Sequence, residues 1–548
     1  MNYSSAFLRG ERDIGLLSPS VASPDLTEGE NHDRSRATTF HSILFPRAVD
    51  RVSDERLAAP DFFVDLNLDQ IVAAITTGKE EYDLKPFFHM PLHDVDAISF
   101  RHEIMQDLEN IRIFAGLKAF AEGMHAMREH LAQGGKVHYR QQKERWFLDA
   151  VEIYCDAVSR LVFDLSLAEF TSRGLLAFRE YLTQYAESDP FVSLAEETKK
   201  LKADISSIHY CVFIRGLRIQ VRKYESESDY SAEVEATFER FQQGAVKHYA
   251  FDFINSADMN HVEAGVLDLV TKLYADIFST LENYCTANED YLDSTVATFD
   301  REVQCYIAYL EYIALFKEAG LKFCYPRISQ ASKEVYNYQG FDLALAGKLR
   351  SDQTTPVCND FHLKDRERIF VISGPNQGGK TTFARTFGQL HYLASLGCPV
   401  PGTRAQLFLF DQLFTHFERE ENADNLSGKL QDDLVRVHHI LERATPNSLL
   451  IMNEIFTSTT LRDAIALSRE IAAKIVELDL LCAWVSFVDE LASFGEQTVS
   501  MVSAVVPDNP ALRTFKVIRR PADGLSYALS IAEKYSLTYE MIKGRIGL

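Results

Sequence analysis

Two stretches of the chain place apolar residues at the three- and four-residue intervals of an amphipathic helix. The first contains Ile104, Leu108, Ile111, Leu117, Phe120, Met124, Met127 and Leu131. The second contains Leu269, Leu273, Ile277, Leu281 and Cys285. Between Leu92 and Tyr325 the only proline is Pro190, so long helices can run without interruption. The pattern predicts a helical bundle or lever whose apolar stripes form its core.

A different pattern interrupts this helical region. The segment Cys211 to Tyr224 is one β-branched, strand-like run, and Val246 to Ile254 is a second. In the first run, polar and apolar residues alternate: Arg218, Gln220 and Arg222 against Leu217, Ile219 and Val221. With Arg215 these arginines concentrate positive charge. We expect a small β insertion, and its basic side is either a DNA-facing tip or a solvated sheet face.

After Tyr325 short apolar strands alternate with helices, which is typical of an α/β domain with a largely parallel sheet. The boundary is expected between Gln330 and Asp352. The predicted organisation has five parts, in chain order: a flexible tail at 1–38, a helical core or lever at 39–205, a clamp-like β insertion at 206–265, returning lever helices at 266–350 and an α/β domain at 351–548.

Composition narrows the class of protein. The 548 residues carry a formal net charge of −22 with a pI near 5.2, which excludes a general positive field for coating nucleic acid. Any DNA contact must therefore come from a local basic surface. The eight cysteines form no CxxC pair, and no apolar run is long enough for a bilayer. We expect a cytoplasmic protein with reduced cysteines and no membrane partner.

A phosphate-binding motif begins the α/β domain. The apolar strand at 369–373 is followed by Gly374-Pro375-Asn376-Gln377-Gly378-Gly379-Lys380-Thr381, which fits GxxxxGK[ST], and then by a helix starting at Thr382. In such a loop the backbone N–H groups surround phosphate oxygens, while a lysine neutralises them and a threonine ligates Mg²⁺. This order of strand, loop and helix predicts ATP and Mg²⁺ as cofactors.

Two further segments complete the predicted nucleotide site. The apolar run Leu449 to Met452 delivers Asn453 and Glu454, and Glu454 is the candidate general base or water-orienting group. The intervening segment NLSGKLQD, residues 425–432, resembles the signature of ABC-type ATPases, in which a serine reaches the γ-phosphate bound by the opposite subunit. Ser427 is that candidate. Taken alone, LSGK is also an ordinary helix N-cap.

These motifs, together with FGQLHYLASLGCPVPGTRAQL and NLSGKLQDDLVRVHHILERATPNSLLIMNEI, closely resemble the ATPase domain of the MutS family from about Asp352 onward. Upstream, FFVDLNLDQIV and PLHDVDAISFRHEIMQDL resemble the start of the family's core and lever helices. The resemblance implies an ABC-type P-loop ATPase domain at the C-terminus. It also implies that ATP drives homodimerisation through these domains and that the levers end in clamps on DNA backbone.

The resemblance also implies roles for particular residues. Gly374 to Thr382 would hold the nucleotide, with Asn359 near the base, and Thr381 and Asn453 would lie at the metal. Lys380, Glu454 and Ser427 would be the catalytic set, with Ser427 acting in trans. Asp463 would lie in a loop that crosses the dimer interface, and Arg215, Arg218 and Arg222 would contact DNA.

The sequence departs from the family pattern at two positions of this site. Asn453-Glu454 stands where the family usually has Asp-Glu, so a charged partner of Mg²⁺ becomes a neutral amide. Ser486-Phe487 stands where the family usually has Thr-His, so an imidazole that senses γ-phosphate is missing. We expect slow ATP hydrolysis.

A further departure concerns the ends of the chain. Only about 40 polar residues precede the core, where mismatch-repair members carry a folded domain that recognises the mispair. We expect no nuclease-like extension after Leu548. We therefore expect a DNA-associated clamp for repair or recombination that does not recognise mismatches directly. The main alternative is a nucleotide-switched scaffold that grips a protein partner, and an ABC transporter ATPase subunit ranks last.

Overall fold

Long helices fill most of the first part of the fold. The computed structural model describes residues 40–47, 58–216, 218–227, 259–418, 428–506, 509–522 and 535–546. The first helices are α1 (Phe62–Asp65), α2 (Leu68–Thr76), α3 (Lys85–His89), α4 (Val95–Leu108), α5 (Ile111–Lys136), α6 (Arg140–Leu167), α7 (Arg173–Ala186) and α8 (Asp189–Ser206). After the insertion come α9 (His261–Leu273), α10 (Ala275–Ala287) and α11 (Ser294–Glu318). No helix in the described part of the chain could cross a membrane.

The predicted apolar stripe at 104–131 is divided between two helices. Asn110 ends the first by capping the second, since its side chain accepts a hydrogen bond from the Arg112 amide at 3.0 Å. Leu117, and the three following apolar positions of the stripe, are buried. Ile111, however, is the first residue of α5 and is 84% exposed, and Leu131 is exposed near the end of that helix. Both were assigned to the core by spacing alone, and that assignment is wrong.

The run at 211–224 folds into two strands rather than one. Strand β1 (Tyr210–Arg215) pairs antiparallel with β2 (Arg218–Lys223). Gly216, at a φ of +62°, makes the turn that the alternating pattern did not reveal. The second strand-like run at 246–254 and the tail at 1–38 lie outside the described residues.

Mixed sheets dominate the second part of the fold. The strands are β3 (Phe323–Cys324), β4 (Arg327–Ser329), β5 (Val335–Gly340), β6 (Asn359–Leu363), β7 (Ile369–Ser373), β8 (Val400–Pro401), β9 (Arg404–Phe408), β10 (Leu413–His416), β11 (Leu449–Asn453), β12 (Leu481–Val485), β13 (Thr498–Val506) and β14 (Asn509–Arg519). The helices are α12 (Leu343–Arg350), α13 (Lys380–Ser395), α14 (Lys429–Arg443), α15 (Leu461–Leu478) and α16 (Tyr539–Ile546).

The central sheet has six strands in the order β10-β11-β12-β7-β13-β14. Its first five strands are parallel and β14 is antiparallel. Because parallel strands share one carboxyl edge, the ends of β7, β10 and β11 meet there, which is where ligands bind in such sheets. A second sheet of four strands has the order β4-β9-β5-β6.

The second sheet corrects part of the predicted boundary. Residues 323–340 were assigned to returning lever helices, but they form β3, β4 and β5, which pair with β8, β9 and β6. The helical region ends earlier because α11 stops at Glu318 and Gly320 adopts a φ of +86°. Pro326 then lies between the first two strands. The remaining domain limits stay predictions.

Helix α13 joins the central sheet to the helical part. Gln389, which is 1% exposed, donates to Leu66 O at 2.8 Å and to Asp342 Oδ1 at 2.9 Å, and accepts from the Leu343 amide at 2.9 Å. Arg385 donates to Asp65 O at 2.8 Å. Burying an amide side chain is favourable only when its donors and acceptor are satisfied, as here. The helix that follows the phosphate-binding motif is therefore fixed to the end of α1 and to the start of α12.

Candidate functional site

The predicted phosphate loop runs from the end of β7 to the start of α13. Gly374 and Gly379 adopt φ values of +113° and +90°, which side chains with a Cβ rarely take. A Cβ on Gly378 would lie 2.2 Å from Ser503 Oγ, and that hydroxyl donates to Gly378 O at 2.6 Å. Strand β13 thus fixes the shape of the loop. Nothing in the sequence around Ser503 indicates this contact, because only the tertiary fold brings Ser503 to the motif.

Lys380 lies inside this loop. Its side chain is 8% exposed, and Nζ donates to Gly374 O at 2.9 Å and to Asn376 Oδ1 at 3.2 Å. Glu454 Oε1 lies 3.5 Å from the same nitrogen. Burial lowers the pKa of Lys380, and the Glu454 carboxylate opposes that effect. An incoming phosphate would add negative charge beside the ammonium group and favour its charged form.

The other predicted loop residues are arranged around this lysine. Pro375 O lies 3.4 Å from Lys380 Nζ, and Gln377 turns the chain with a φ of +60°. Thr382 is the third residue of α13, and its carbonyl accepts the Thr386 hydroxyl at 2.8 Å. Because the first N–H groups of an α-helix have no acceptor within the helix, the start of α13 can offer donors to an anion in the loop.

Thr381 and Asn453 form the candidate metal position. The Thr381 hydroxyl donates to Asn453 Oδ1 at 2.8 Å across the gap between α13 and the end of β11. Hydroxyl, amide and carboxylate oxygens, the last from Glu454, are the donors that Mg²⁺ accepts, with water and phosphate oxygens completing its shell. The residues present fit Mg²⁺, but with one formal negative charge fewer than an Asp-Glu pair would supply.

Glu454 projects from a constrained loop after β11. Its φ is +51° and that of Phe456 is +62°, both in the left-handed region that only a few per cent of such residues occupy. Two hydrogen bonds hold the loop: the Glu454 amide donates to Val485 O at 2.9 Å, and the Phe456 amide to Asp433 Oδ2 at 3.3 Å. Backbone strain of this kind, at residues other than glycine, is often found where a side chain must point at a ligand.

Asn359, the first residue of β6, is bonded through its side chain to strand β14. Its Oδ1 accepts from the Val517 amide at 2.8 Å, and its Nδ2 donates to Phe515 O at 3.1 Å. Phe515 is 50% exposed, has a φ of +56°, and its Cβ lies 3.8 Å from where a Cβ on Gly379 would be. An exposed ring at this position can stack on a flat base. Phe515 is identified as a candidate site residue only by its neighbours in the fold, because nothing in the sequence around it indicates this role.

The remaining predicted residues of this region have different outcomes. Ser427 lies outside the described residues, which resume at Gly428 just before α14. Asp463 lies in the first turn of α15, where its carboxylate accepts the Thr460 hydroxyl at 2.8 Å. Ser486 is buried and accepts the Val488 amide at 3.0 Å, whereas Phe487 is 45% exposed.

The three predicted DNA-binding arginines share one face of the β1–β2 hairpin. In its register Arg215 lies opposite Arg218, and Arg222 opposite Cys211, so all three point to the same side as Phe213 and Gln220. The Arg222 guanidinium lies 5.6 Å from the centre of the Phe213 ring. This basic face lies between α8 and α9, in elements distinct from those of the phosphate loop. The other face carries Val212, Ile214 and Ile219, all exposed.

The part of the chain that contains the central sheet and the phosphate loop resembles known proteins. Residues 370–544 match the family MutS domain V. The chain is 32% identical over 138 residues to the DNA mismatch repair protein MSH3 of Eremothecium gossypii, a match covering 25% of this chain and 13% of that protein. It is 30% identical over 182 residues to the DNA mismatch repair protein MutS of Halalkalibacterium halodurans, covering 32% and 21%.

A third relative is the endonuclease MutS2 of Thermus thermophilus, 30% identical over 188 residues that cover 34% of this chain and 25% of that protein. The chain thus spans at most a quarter of the length of these three curated relatives.

Proposed function

Because the chain belongs to the MutS family through the domain V at residues 370–544, we propose that it is a DNA-binding ATPase whose grip depends on bound nucleotide. The single observation that carries the proposal is the meeting of Lys380, Thr381 and Glu454 at one phosphate loop. These side chains come from two separate segments, α13 and the end of β11. Their convergence gives one site for a phosphate, a metal ion and an attacking water.

The proposed reaction is hydrolysis of ATP to ADP and phosphate. The loop amides and Lys380 bind the β- and γ-phosphates, and Thr381 with Asn453 would hold Mg²⁺, which would supply charge neutralisation of the phosphates when bound. Asn359 and Phe515 form the side of the site nearest to the base. Glu454 orients the attacking water and accepts its proton. With a neutral Asn453 and with Ser486-Phe487 in the switch segment, turnover is slow.

We further propose an ABC-type arrangement in which two copies of the chain complete each site. Ser427, two positions before α14 in the sequence, would reach the γ-phosphate held by the partner, and Asp463 would lie near the contact between copies. ATP then joins the two ATPase domains and hydrolysis separates them. Each site then needs a water-orienting carboxylate from one chain and a γ-phosphate ligand from the other. Nucleotide binding and dimerisation are therefore coupled.

The proposed DNA contact is the basic face of the β1–β2 hairpin. Arg215, Arg218 and Arg222 on one surface form a local patch that suits phosphate backbone, although the whole chain is acidic. Such contacts position a protein on DNA without specifying sequence. The proposed role is therefore recognition of DNA structure in repair or recombination, without direct mispair recognition; of these processes, repair is the one that the names of two relatives contain.

The opposite face of the same hairpin favours a second candidate function. Val212 and Ile214 are 42% and 71% exposed there, and the net charge is −22. Exposed apolar side chains on a lever tip suit a protein partner better than a polyanion. In this alternative the chain is a nucleotide-switched scaffold that grips a protein.

Binding to a DNA panel separates the two candidates. Duplex, mismatched, branched and single-stranded DNA are titrated with the full chain, without nucleotide and with ATP, at several salt concentrations. DNA binding that weakens steeply with salt, through loss of counterion release, supports the DNA-binding ATPase. If none of the DNAs binds in a salt-sensitive way while ATP hydrolysis is retained, the result supports the protein scaffold instead.

A further inference from the structure

The carboxyl end of β10 connects several elements that surround the nucleotide site. Thr415 donates its hydroxyl hydrogen to Asp65 Oδ2 at 2.6 Å, and so contacts the helical part. Phe417 O accepts from Arg436 of α14 at 3.0 Å, and its ring lies 5.3 Å from the Arg385 guanidinium of α13. Between these two residues lies His416, which the proposed reaction does not use.

His416 pairs with Asp433 inside the protein. The imidazole is 1% exposed and its Nε2 lies 3.3 Å from Asp433 Oδ1, on the second turn of α14. Asp433 is 11% exposed at its side chain. Burial alone disfavours the carboxylate, but His416 and the Phe456 amide keep the pKa of Asp433 below its ordinary value. A buried polar pair of this kind adds little net stability but fixes the relative position of the elements that carry it.

The second carboxylate oxygen of Asp433 contacts the loop that carries Glu454. Asp433 Oδ2 accepts the Phe456 amide at 3.3 Å, two residues after Glu454. Phe456 is fully buried with a φ of +62°, so its amide must find an acceptor in this strained loop. One carboxylate therefore contacts both β10 and the Glu454 loop from the start of α14.

We propose that His416 and Asp433 are positioning residues that align the start of α14 with the loop carrying Glu454. The inference rests on the proposed function, in which α14 presents its start to the partner's nucleotide while Glu454 acts on the nucleotide of its own chain. The pair couples these two contributions within one subunit. When the Glu454 loop of one chain is in its active position, the start of α14 in the same chain is then aligned for contact with the partner's nucleotide.

The first test measures backbone exchange in the full chain without nucleotide. His416→Ala removes the partner of Asp433, and we expect amide hydrogens at 454–458 and at the start of α14 to exchange about tenfold faster. Asp433→Asn, which keeps an acceptor for the Phe456 amide, should accelerate exchange at α14 more than at 454–458. His438→Ala is the matched control, because His438 lies on the same helix with 68% of its side chain exposed. Unchanged exchange at both segments in His416→Ala overturns the inference.

The second test asks whether the pair acts on the partner's nucleotide. Wild-type chain is mixed with an excess of Lys380→Ala chain, or with an excess of the doubly substituted Lys380→Ala/His416→Ala chain. In each mixed dimer the functional phosphate loop is wild type and only the α14 offered to it differs. We expect ATP hydrolysis per wild-type chain to be at least about fivefold lower with the double variant than with the Lys380→Ala chain. Equal rates with both partners overturn the inference.

Two measurements keep the outcomes distinct. The His416→Ala chain alone should bind a fluorescent ATP analogue as wild type does while kcat falls, because its phosphate loop is untouched. If an excess of Lys380→Ala/Ser427→Arg chain leaves ATP hydrolysis per wild-type chain unchanged, the composite site of the proposed function fails. The exchange experiment still judges the His416–Asp433 pair in that case, because it requires neither nucleotide nor a dimer.

Discussion

Thr381 donates its hydroxyl hydrogen to Asn453 Oδ1 at 2.8 Å, and this bond joins the first turn of α13 to the end of β11. The two residues are 72 positions apart in the chain. A threonine hydroxyl that would ligate Mg²⁺ is therefore already held by the side chain that departs from the usual Asp-Glu pair. The amide oxygen keeps the geometry of a carboxylate but lacks its charge.

Restoring that charge should strengthen the metal site. In Asn453→Asp we expect half-maximal ATP hydrolysis at a severalfold lower Mg²⁺ concentration, or faster turnover, because a carboxylate attracts the ion more strongly than an amide. Steady-state hydrolysis across a Mg²⁺ titration measures both. Asn453→Ala, which removes the oxygen altogether, is the control and should need more Mg²⁺ than wild type. A slower Asn453→Asp with no gain in Mg²⁺ affinity would show that the site is adapted to the amide.

Replacing the Glu454 carboxylate should separate binding from hydrolysis. Glu454→Gln keeps the size of the side chain but removes the charge that orients or deprotonates water, so turnover should fall by about 100-fold or more. ATP binding should survive, because Lys380 and the loop amides are unchanged. Single-turnover hydrolysis and binding of a fluorescent ATP analogue check the two halves. Turnover close to that of wild type would exclude Glu454 as the hydrolytic group.

The basic hairpin face should carry the salt dependence of DNA binding. Replacing Arg215, Arg218 and Arg222 with alanine should weaken binding and reduce the slope of log affinity against log salt by about 3. ATP binding should not change. Val212→Thr with Ile214→Thr, on the other face of the same hairpin, is the matched control and should leave DNA affinity intact. The reverse result, loss of affinity only in the control, would move the contact to the apolar face.

A buried carboxyl group in the helical part should make stability depend on pH. Asp300 is paired with Arg128 at 2.5 Å, yet burial raises the pKa of Asp300 from 3.8 to about 6. A raised folded-state pKa means that proton uptake stabilises the fold fully below 3.8, and that this contribution is lost as pH rises through 6. Relative to Asp300→Asn, wild type should gain up to about 3 kcal/mol as pH falls from about 7 to about 4. Urea unfolding of both chains at each pH measures this, and a difference independent of pH would contradict it.

Local patterns were enough to predict the phosphate loop and the strand that ends just before Glu454. The loop depends on a strand, glycines and a helix that are adjacent in sequence, so the motif contains its own structural context. The turn at Gly216 was missed because alternation continues across a tight hairpin. Ile111 was misplaced because a helical period does not register a cap at Asn110.

Relationships between distant segments could not be predicted from the sequence. His416 and Asp433 are 17 positions apart, on a strand and a helix, and nothing in the flanking residues says that they face each other. Ser503 approaches Gly378 only because β13 pairs with β7. Such pairs are set by packing of the whole sheet, and single-sequence periodicity carries no information about it.

The central claim, that two copies of the chain share each nucleotide site, is tested most directly by mixing two inactive variants. Ser427→Arg should block the partner's site sterically, while Lys380→Ala should disable its own phosphate loop, so each alone should hydrolyse ATP slowly. A mixed dimer keeps one site in which an intact Lys380 faces an intact Ser427. We predict that ATP hydrolysis rises on mixing to about half of the wild-type rate per mixed dimer, which is about a quarter of the wild-type rate for an equimolar mixture that pairs at random. Full hydrolysis by Ser427→Arg alone, sedimenting as a monomer, would contradict the shared site.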